Sequence, residues 1–407
     1  MPVIVQKYGG SSVATPEKIR EVASRISKIA DKGNKIVVVV SAMGKTTDEL
    51  LDLAKKVDPQ PSERELDMLL SVGERITMSL LCMALQRLGR DAISLTGSQC
   101  GIITNDAHYR ARIIEMRPVR VQDELDRNRI VVIAGYQGMS YKREITTLGR
   151  GGSDTTAVAL AAALGAEYCE ICSDVDGVYS ADPKVVHKAI RLDEIGYEVM
   201  QEMSESGARV LAADAVEFAK KSGIALYLRS AKGEGGTVVR KMPLSSLNRV
   251  AGITHEDNVM LLEGRMNILE DLLSFLDDKG LCGKQLVLFS ETGMGDGMVS
   301  LLLSAGDTAK ASNGLTEILD QEFGDDLLVR NDLGAVSLLG EGINTSHANF
   351  RRAIDLLRKN KVEPLLAGTS RFRITFLVET VKVHQVTRLL HDEFIGLYSN
   401  NGSSEIL

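Results

Sequence analysis

Two glycine-rich segments of this sequence combine small residues with charged and hydroxyl side chains, the groups that bind phosphates and carboxylates in proteins. The first is KYGGSS, Lys7–Ser12, which follows a short β-like run. Its two glycines allow the backbone to approach a ligand closely. Backbone N–H groups, two hydroxyls and the Lys7 ammonium could together form a phosphate cradle. Taken alone, the segment is equally compatible with a strand-to-helix turn that carries an exposed lysine.

The second segment is GRGGSDTT at Gly149–Thr156, which precedes an alanine-rich helical stretch. Its glycines can form a nest of backbone N–H groups, and Ser153 or Asp154 can cap the helix, whose N-terminus favours anions. The Arg150 guanidinium matches the two oxygens of a carboxylate. A glycine turn with a good N-cap is the alternative, but the density of anion-binding groups favours a functional site.

Three further places carry polar side chains that could contact a ligand. Ser41–Asp48 follows a strand-like run and supplies hydroxyls, although such loops often only cap a helix. Glu74 lies in a long helical stretch and could accept a hydrogen bond from a substrate ammonium, or belong to a solvated Glu–Arg face. Ser173–Lys184 brings carboxylates, a tyrosine and a lysine, which suits a nucleotide but also an acidic turn.

Several common functional signatures are absent from the sequence. It has no G-x-x-x-x-G-K-[ST] loop, no G-x-G-x-x-G opening a βαβ unit and no G-x-S-x-G elbow. It has no zinc-type Cys/His spacing either, so we expect no metal ligands from the protein. The five cysteines include a lone C-x-x-C, Cys169–Cys172, within a strand-like run. Residues three apart on a strand point to opposite faces, which argues against a metal or redox role for this pair. An odd number of cysteines at irregular spacing does not indicate a disulfide framework, so all five are predicted to be buried structural residues.

Strand and helix patterns alternate over about the first 230 residues. Thr15 before Pro16 predicts a helix start, and Ser62 with Glu65 predicts a capping box that opens a long helix reaching Leu88. Alternation of this kind predicts a three-layer α/β domain around a mainly parallel central sheet. Such sheets bind ligands beyond the carboxyl ends of their strands, where the glycine-rich segments lie.

The pattern changes after residue 230. A polar, glycine-rich linker is predicted over 231–247, and a β-α-β-β-α order then occurs twice, which predicts two small α+β modules of the ferredoxin-like type. We place these modules at 248–330 and 331–399, with a flexible tail at 400–407. A pair of such modules is typical of a ligand-sensing region.

Composition and charge limit the classes of function. The 407 residues suggest two to three domains, and the apolar fraction of 44% is sufficient for full cores. The net charge of −7 without a long basic run argues against nucleic-acid binding. The N-terminus lacks the pattern of a signal peptide, and no apolar run is long enough for a membrane span. We therefore expect a cytoplasmic protein that does not bind membranes.

Six segments in this order resemble the aspartate kinases of the amino-acid kinase family, over roughly residues 3–240. They are KYGGSS at Lys7–Ser12, VVVVSAMGKTTDEL at Val37–Leu50, SVGERI at Ser71–Ile76, LTGSQCG at Leu95–Gly101, TTLGRGGSDTTAVALAAAL at Thr146–Leu164 and SDVDGVYSADPK at Ser173–Lys184. The resemblance implies that ATP phosphorylates the side-chain carboxylate of L-aspartate, the first step toward lysine (by diaminopimelate), threonine and methionine. It also implies Mg²⁺ on the phosphates.

The same resemblance implies roles for individual residues. As catalytic residues it implies Lys7 and Asp154, with Asp154 orienting Lys7. Aspartate would be held by Thr47, Glu74, Arg150, Gly151, Gly152 and Ser153, with Arg150 on the α-carboxylate and Glu74 near the ammonium. ATP would be held by Lys7, Tyr8, Gly9, Gly10, Ser11, Ser41, Ser173, Asp174, Tyr179, Ser180, Ala181, Asp182, Pro183 and Lys184.

The C-terminal part resembles the tandem ACT regulatory domains of the family. Arg265–Asn267 and Thr345–His347 stand where family members carry a Pro-Gly turn. This leaves open whether the modules bind an amino-acid effector such as lysine or threonine, or only join subunits of a homo-oligomer. Two other functions remain as alternatives: a sister kinase for a different amino-acid carboxylate, and an amino-acid sensor that has lost catalysis.

Overall fold

The computed structural model describes residues 1–149, 151–208, 210–231, 235–242, 249–289, 297–304 and 314–396. Contacts divide the described chain into two compact units. The first comprises 1–178, 191–205 and 210–242, apart from 150 and 232–234, and the second comprises 179–190, 206–208 and the described residues of 249–396. The predicted tail lies outside the described residues, as do 232–234 and 243–247 of the predicted linker. The linker prediction is wrong for Thr237–Arg240, which forms a strand of the first unit, because pairing with distant strands outweighs the glycine-rich composition before it.

The first unit alternates strands and helices, as predicted. Its strands are β1 (Val3–Tyr8), β2 (Lys35–Val40), β3 (Ala92–Leu95), β4 (Ile102–Thr104), β5 (Ile113–Met116), β6 (Ile130–Ala134), β7 (Gln137–Ser140), β8 (Ile145–Thr147), β9 (Tyr168–Ser173), β10 (Glu194–Gly196), β11 (Leu226–Ser230) and β12 (Thr237–Arg240). Its helices are α1 (Pro16–Ala30), α2 (Thr46–Val57), α3 (Glu63–Leu70), α4 (Val72–Arg87), α5 (Val119–Asp126), α6 (Gly152–Ala163), α7 (Tyr197–Glu205) and α8 (Ala213–Ser222).

The central sheet of this unit has eight strands in the order β10-β12-β11-β9-β1-β2-β6-β3. All neighbouring pairs are parallel except β11 with β12. Strands β2 and β6 are nearly continuous runs of β-branched residues, KIVVVV and IVVIA, because both faces of a parallel sheet are covered. A smaller sheet of four strands, in the order β5-β4-β7-β8, is formed by the segments that connect β3 to β6 and β6 to β9.

Helices cover both faces of the large sheet, which confirms the three-layer architecture. The apolar stripe of α1, including Ile19, Val22 and Ile26, packs with α4 on one face. On the other face α6 packs against β1, β2 and β9, and α8 covers α6. Because α6 lies between sheet and helix, it is buried almost all round and carries mainly Ala, Val and Leu.

The predicted long helix from Ser62 to Leu88 is divided at Ser71 into α3 and α4. Ser62 occupies the N-cap position, but its side chain makes no capping hydrogen bond, so the predicted capping box is wrong in this detail. Residues 63–87 are long and apolar enough to cross a membrane by length and composition. Half of their most apolar window is buried inside the protein, and buried core helices meet the same criterion.

The second unit contains one six-stranded antiparallel sheet in the order β14-β15-β13-β16-β18-β17. Its strands are β13 (Gly252–Arg265), β14 (Gly283–Phe289), β15 (Met298–Ser304), β16 (Leu327–Leu339), β17 (Leu366–Thr369) and β18 (Arg373–Glu379). Its helices are α9 (Leu269–Asp278), α10 (Leu315–Phe323), α11 (Ala348–Lys359) and α12 (Val383–His391).

Two ferredoxin-like halves share the long strands β13 and β16. One half joins the C-terminal part of β13 to β14 and β15, with α9 and α10 in its core. The other joins Gly252–Glu256 to the C-terminal part of β16, with β17, β18, α11 and α12. The structure therefore differs from the predicted start of the first module at 248, because the opening part of β13 completes the sheet of the second half.

The predicted catalytic domain of 1–230 also differs from the contact-based division. Tyr179–Ile190 belongs to the second unit. Its apolar residues Ala181, Val185 and Val186 pack in the core of the second half, and Ile253 N–H donates to the Ser180 carbonyl. Burial of these side chains holds the segment to the second unit, a tertiary effect that no linker composition signals.

Candidate active site

Four loops leave the large sheet at the same edge. Tyr8 pairs with Val40 on one side and with Cys172 on the other, and Val40 pairs with Ala134. The carboxyl ends of β1, β2, β6 and β9 therefore coincide. The loops that begin at Gly9, Ser41, Gly135 and Asp174 all start there, so parallel register brings together segments far apart in sequence.

Lys7 and Asp154 form the charged centre of this edge. Lys7 lies near the end of β1, and its ammonium is 2.6 Å from Asp154 Oδ1 on α6. The two side chains are only 11% and 10% exposed, so the pair is shielded from water and keeps a strong field. The structure thus brings together the two residues predicted to be catalytic.

Helix α6 begins at Gly152, and Gly151 occupies its N-cap with a φ of 72°, a left-handed conformation that suits glycine. The N–H groups of Asp154 and Thr155 donate to the Gly151 carbonyl. The prediction that Ser153 or Asp154 caps the helix is therefore wrong, because both lie inside its first turn. This leaves the Asp154 carboxylate free to meet Lys7. Arg150, the predicted ligand of the α-carboxylate, lies outside the described residues.

The loop after β1 is a short 3-10 turn, Gly10–Val13, packed closely on the loop after β2. A Cβ on Gly10 would lie 2.8 Å from the Ala42 carbonyl oxygen, so only glycine allows this approach. Gly9 N–H donates to the Cys172 carbonyl at 3.1 Å, which occupies one of the N–H groups expected in the phosphate cradle. Gly9 also lies close to the Lys7 side chain: a Cβ on Gly9 would be 3.5 Å from Lys7 Nζ.

The side chains around this turn point to different environments. The Tyr8 ring is fully buried in the core beneath α1 and α4, so only its backbone lies at the predicted ATP site. Ser11 is exposed, and Ser12 is buried with no hydrogen-bond partner for its hydroxyl among the described residues. Ser41 and Thr47 are half-buried, in the loop after β2 and in the first turn of α2.

Glu74 is the most unusual titratable group at this edge. It lies in the first turn of α4, and its Oε1 accepts a hydrogen bond from Ala42 N–H at 3.1 Å. Its Oε2 is buried with no partner among the described residues. Burial raises the pKa of Glu74 to about 7, and the N–H hydrogen bonds lower it only in part. A buried carboxylate oxygen without a partner is suited to receive a cation, such as an ammonium group.

The loop after β6 supplies residues that were not predicted. A Cβ on Gly135 would lie 2.8 Å from Ser153 Oγ, so this glycine lets the sheet edge meet the start of α6. Tyr136 follows with a φ of 67°, and burial raises its pKa to about 12. Gln137 accepts from Arg75 Nε and donates to the Ser71 carbonyl, which holds the break between α3 and α4. The signal was available, since GYQG directly follows a buried strand.

A second residue that was not predicted, Asp67, holds the strand that leads to the glycine-rich segment. Asp67 is fully buried on α3, where it accepts hydrogen bonds from Thr147 and from Tyr109 N–H. Its other oxygen lies 2.6 Å from His108 Nδ1. Asp67 thereby fixes Thr147, the last residue of β8, two positions before the glycine-rich segment begins at Gly149. A lone aspartate in an amphipathic helix gives no sign of this role in the sequence.

The predicted nucleotide segment is divided between the two units. In the first unit, Ser173 is half-buried and Asp174 is exposed beyond β9. In the second unit, Ser180 and Ala181 are buried, and Ser180 Oγ lies 2.9 Å from His391 Nε2. The other four predicted residues there are partly or fully exposed: Tyr179, Asp182, Pro183 and Lys184. A nucleotide role for Tyr179–Lys184 stays a prediction.

The cysteines are free thiols, and four of the five are buried as predicted. Burial raises the pKa of Cys172 to about 12, which makes it unreactive. Cys282 is exposed, so the prediction of burial was wrong for this residue. It lies in the turn before β14, where the chain changes direction at the surface.

Comparison with known proteins agrees with this architecture. The model of the amino acid kinase family matches residues 2–230. An aspartokinase of Mycobacterium tuberculosis is 40% identical over 412 residues, covering 97% of this chain and 96% of that protein. An aspartokinase of Geobacillus stearothermophilus is 39% identical over 401 residues, covering 97% of each.

A solved structure shows the same fold. That of E. coli aspartokinase III with aspartate and ADP superposes with a TM-score of 0.82 at 24% identity, over 96% of this chain and 99% of that one. The family match over the first unit and the full-length identity to the relatives together show that the chain belongs to the aspartokinases of the amino acid kinase family.

Proposed function

We propose that the chain transfers the γ-phosphate of ATP to the side-chain carboxylate of L-aspartate at the edge where β1, β2, β6 and β9 end. The observation that carries the proposal is the buried Lys7–Asp154 pair, 2.6 Å apart, at the start of α6. A shielded ammonium held at a helix N-terminus is suited to stabilise the charge of a phosphoryl group in transfer.

The chemistry needs charge stabilisation rather than a general base. The attacking group is a carboxylate, which is ionised at neutral pH because its reference pKa is about 3.9. The obstacle is the repulsion between this anion and the phosphates. Lys7 and the positive end of the α6 dipole oppose that repulsion, and Asp154 holds the Lys7 ammonium in place.

The aspartate site lies, in this proposal, between the starts of α4 and α6. The free Oε2 of Glu74 would accept the α-ammonium. Ser153, close to Gly135, and the backbone of Gly151 and Gly152 would hold the carboxylates together with Arg150. Thr47 would contact aspartate from α2.

The ATP phosphates would lie over the turn after β1. Lys7, Gly9, Gly10 and Ser11 would contact them, with Ser41 beside them. The Tyr8 contribution would come from its backbone only, since its ring is buried. Ser173 and Asp174 would border the nucleotide in the first unit, and the part played by Tyr179–Lys184 rests on the family resemblance.

We also propose Mg²⁺ as the companion of ATP. Mg²⁺ retains several waters and binds phosphate oxygens together with one or two carboxylates. The exposed carboxylate of Asp174, one residue beyond β9, is a suitable donor from this chain. When bound, the ion neutralises part of the phosphate charge.

The acceptor can be tested by direct comparison. ADP release by purified protein with Mg-ATP is measured with L-aspartate, L-glutamate and N-acetylglutamate as acceptors. We expect release with aspartate at least about a hundredfold above the other two, because a site that pairs every polar group of its substrate rejects analogues strongly. A preference for either of the other acceptors would favour a sister kinase, and no release with any acceptor would favour a sensor.

Regulation and assembly are proposed at a coarser level. E. coli aspartokinase III has been solved with lysine and aspartate, a structure that superposes with a TM-score of 0.75 at 24% identity. We propose that the second unit here binds an amino-acid effector and contributes to a homo-oligomer. We also propose that the enzyme works in the cytoplasm at the head of lysine, threonine and methionine synthesis. Lysine and threonine added to the acceptor assay test the effector.

A further inference from the structure

Three side chains of the second unit meet outside the kinase site: His255, Asp257 and His384. His384 Nε2 lies 2.9 Å from Asp257 Oδ1, and His255 Nε2 lies 3.8 Å from the same oxygen. The two imidazole rings pack edge to face, with centroids 5.3 Å apart and an interplanar angle of 82°. All three donor atoms lie within 4.8 Å of one another.

The fold brings these residues together by two specific features. A bulge in β13 shifts its register against β16 between Glu256 and Val259, so Asp257 escapes the regular pairing of the sheet. His384 lies in the first turn of α12, a helix that packs on β13 and β16. A Cβ on Gly334 would lie 2.3 Å from Val383 Cγ2, so this glycine permits the close approach of α12 to the bulge.

The surroundings suit a cation that enters from solvent. The His255 side chain is 11% exposed, whereas those of Asp257 and His384 are 52% and 51% exposed. The inner ligand is thus fixed and the outer two can adjust. Two lysines on neighbouring segments already have carboxylate partners: Lys284 pairs with Glu256, which lies between His255 and Asp257 in the chain, and Lys382 pairs with Glu379 at 2.9 Å. The N-terminus of α12 disfavours a cation, and the Asp257 charge opposes that effect.

We propose that His255, Asp257 and His384 bind one Zn²⁺ ion, with water in the remaining position. Two imidazoles and one carboxylate form a three-ligand set that is well known for zinc. Ligands of a tetrahedral zinc ion lie about 3.4 Å apart, given bond lengths of about 2.0–2.1 Å. The observed separations from Asp257 Oδ1, 2.9 Å to His384 and 3.8 Å to His255, lie on either side of this value, and the half-exposed His384 and Asp257 side chains have room to adjust. The set does not suit Mg²⁺, which prefers oxygen ligands.

Zinc at this place would tie the bulge of β13 to α12 and thereby join the shared strand to a helix of the second half. The site is independent of the kinase proposal, since none of its residues belongs to the first unit. The sequence predicted no metal ligands because His255 and His384 are 129 positions apart and only the tertiary fold unites them.

The test is a calorimetric titration of full-length, untagged, EDTA-stripped protein with Zn²⁺ alone. It is done in a Cys282→Ser background, because Cys282 is an exposed thiol that could bind zinc by itself. The variants are His384→Ala and Asp257→Asn, both at half-exposed positions that tolerate change. His347→Ala is the matched control, an exposed histidine at the start of α11.

We expect one Zn²⁺ per chain, with affinity reduced at least about tenfold in both variants and unchanged in the control. Saturating Zn²⁺ should also raise the midpoint temperature of unfolding of the parent and the control. The midpoints of the two variants should rise much less. Failure of the parent to bind Zn²⁺, or equal binding by His384→Ala and Asp257→Asn, would overturn the proposal and leave an ordinary surface histidine–aspartate pair.

Discussion

Glu74 illustrates how position changes the chemistry of a single residue. In the sequence it is one acidic residue of a helix, next to Arg75, and a solvated ion-pair face is the simpler interpretation. In the structure it is 3% exposed, bound to Ala42 N–H on one oxygen and without a described partner on the other. Burial moves its pKa from 4.5 to about 7, into the range where enzymes work.

The first prediction concerns the pH dependence of catalysis. Ionised Glu74 attracts the substrate ammonium, and protonated Glu74 does not. We therefore expect kcat/KM for aspartate to fall below a pH of about 7, approaching tenfold per pH unit. Glu74→Gln should have a low kcat/KM without this acidic limb. The control Glu49→Gln, at an exposed position of α2, should behave as wild type. An unchanged acidic limb in Glu74→Gln would contradict the assignment.

The second prediction concerns stability without substrate. Because the pKa of Glu74 is higher in the folded than in the unfolded protein, the folded state binds more protons between pH 4.5 and about 7. The free energy of unfolding should therefore decrease across this range, by about 3 kcal/mol from this group. Urea denaturation of wild type and Glu74→Gln measures the difference. If the contribution of Glu74 to the free energy of unfolding instead increased as the pH rises, the prediction would be contradicted.

At the scale of elements, the active edge depends on close approaches between strand ends and helix starts. Gly135 is the clearest case, since a Cβ there would lie 2.9 Å from both Ser153 Cβ and Val39 Cγ1. The end of β6 can meet the start of α6 only without a side chain at this position. The geometry of the aspartate site therefore rests in part on a residue that needs no contact with substrate.

The third prediction follows from that contact. Gly135→Ala should destabilise the protein by about 1–3 kcal/mol and raise KM for aspartate, because the extra methyl pushes α6 from the sheet. Thermal unfolding and steady-state kinetics measure both effects. Gly396→Ala is the control, since a Cβ there would meet nothing closer than 3.9 Å. Unchanged stability and KM in Gly135→Ala would show that the edge is not tightly packed.

The sequence predicted element types better than their ends. Thr15 caps α1 as expected, because its hydroxyl needs only the Lys18 N–H of its own chain segment. The break at Ser71 was missed, because it depends on Gln137, a residue 66 positions away. The start of α6 was placed too late, since the left-handed Gly151 takes the N-cap. Local hydrogen bonds are readable from sequence, whereas those made by distant partners are not.

The same division applies to the candidate site. Lys7 and Asp154 were predicted as a pair because their glycine-rich segments match a family pattern, and they are in contact. Gly135 and Asp67 were missed, since each acts through packing or hydrogen bonds to other side chains. Residues that hold a site in place without contacting the ligand belong to no recognisable sequence motif.

At the scale of the whole molecule, the second unit carries an apolar edge that remains exposed in the single chain. Strand β14 is at the end of the six-stranded sheet, and Leu286, Leu288 and Phe289 are 45%, 48% and 53% exposed. Edge strands with apolar side chains invite pairing with another chain. This supports the proposal that the second unit contributes to a homo-oligomer.

The fourth prediction tests that edge. Light scattering after size exclusion should find wild type larger than one chain, and Leu288→Lys should shift it toward smaller species by placing a charge in the interface. Val381→Lys is the control, an apolar residue that is 86% exposed elsewhere in the unit. A monomeric wild type, or a Leu288→Lys variant of unchanged size, would contradict an interface at β14.

The claim that Lys7 drives phosphoryl transfer to aspartate is tested most directly by trapping the product. Hydroxylamine converts an acyl phosphate of aspartate to the hydroxamate, which is measured for wild type, Lys7→Ala and the control Lys28→Ala, an exposed lysine of α1. We expect hydroxamate from wild type and control, and a loss of about 10²–10³-fold in folded Lys7→Ala. Hydroxamate formation by Lys7→Ala at the wild-type rate would contradict the account.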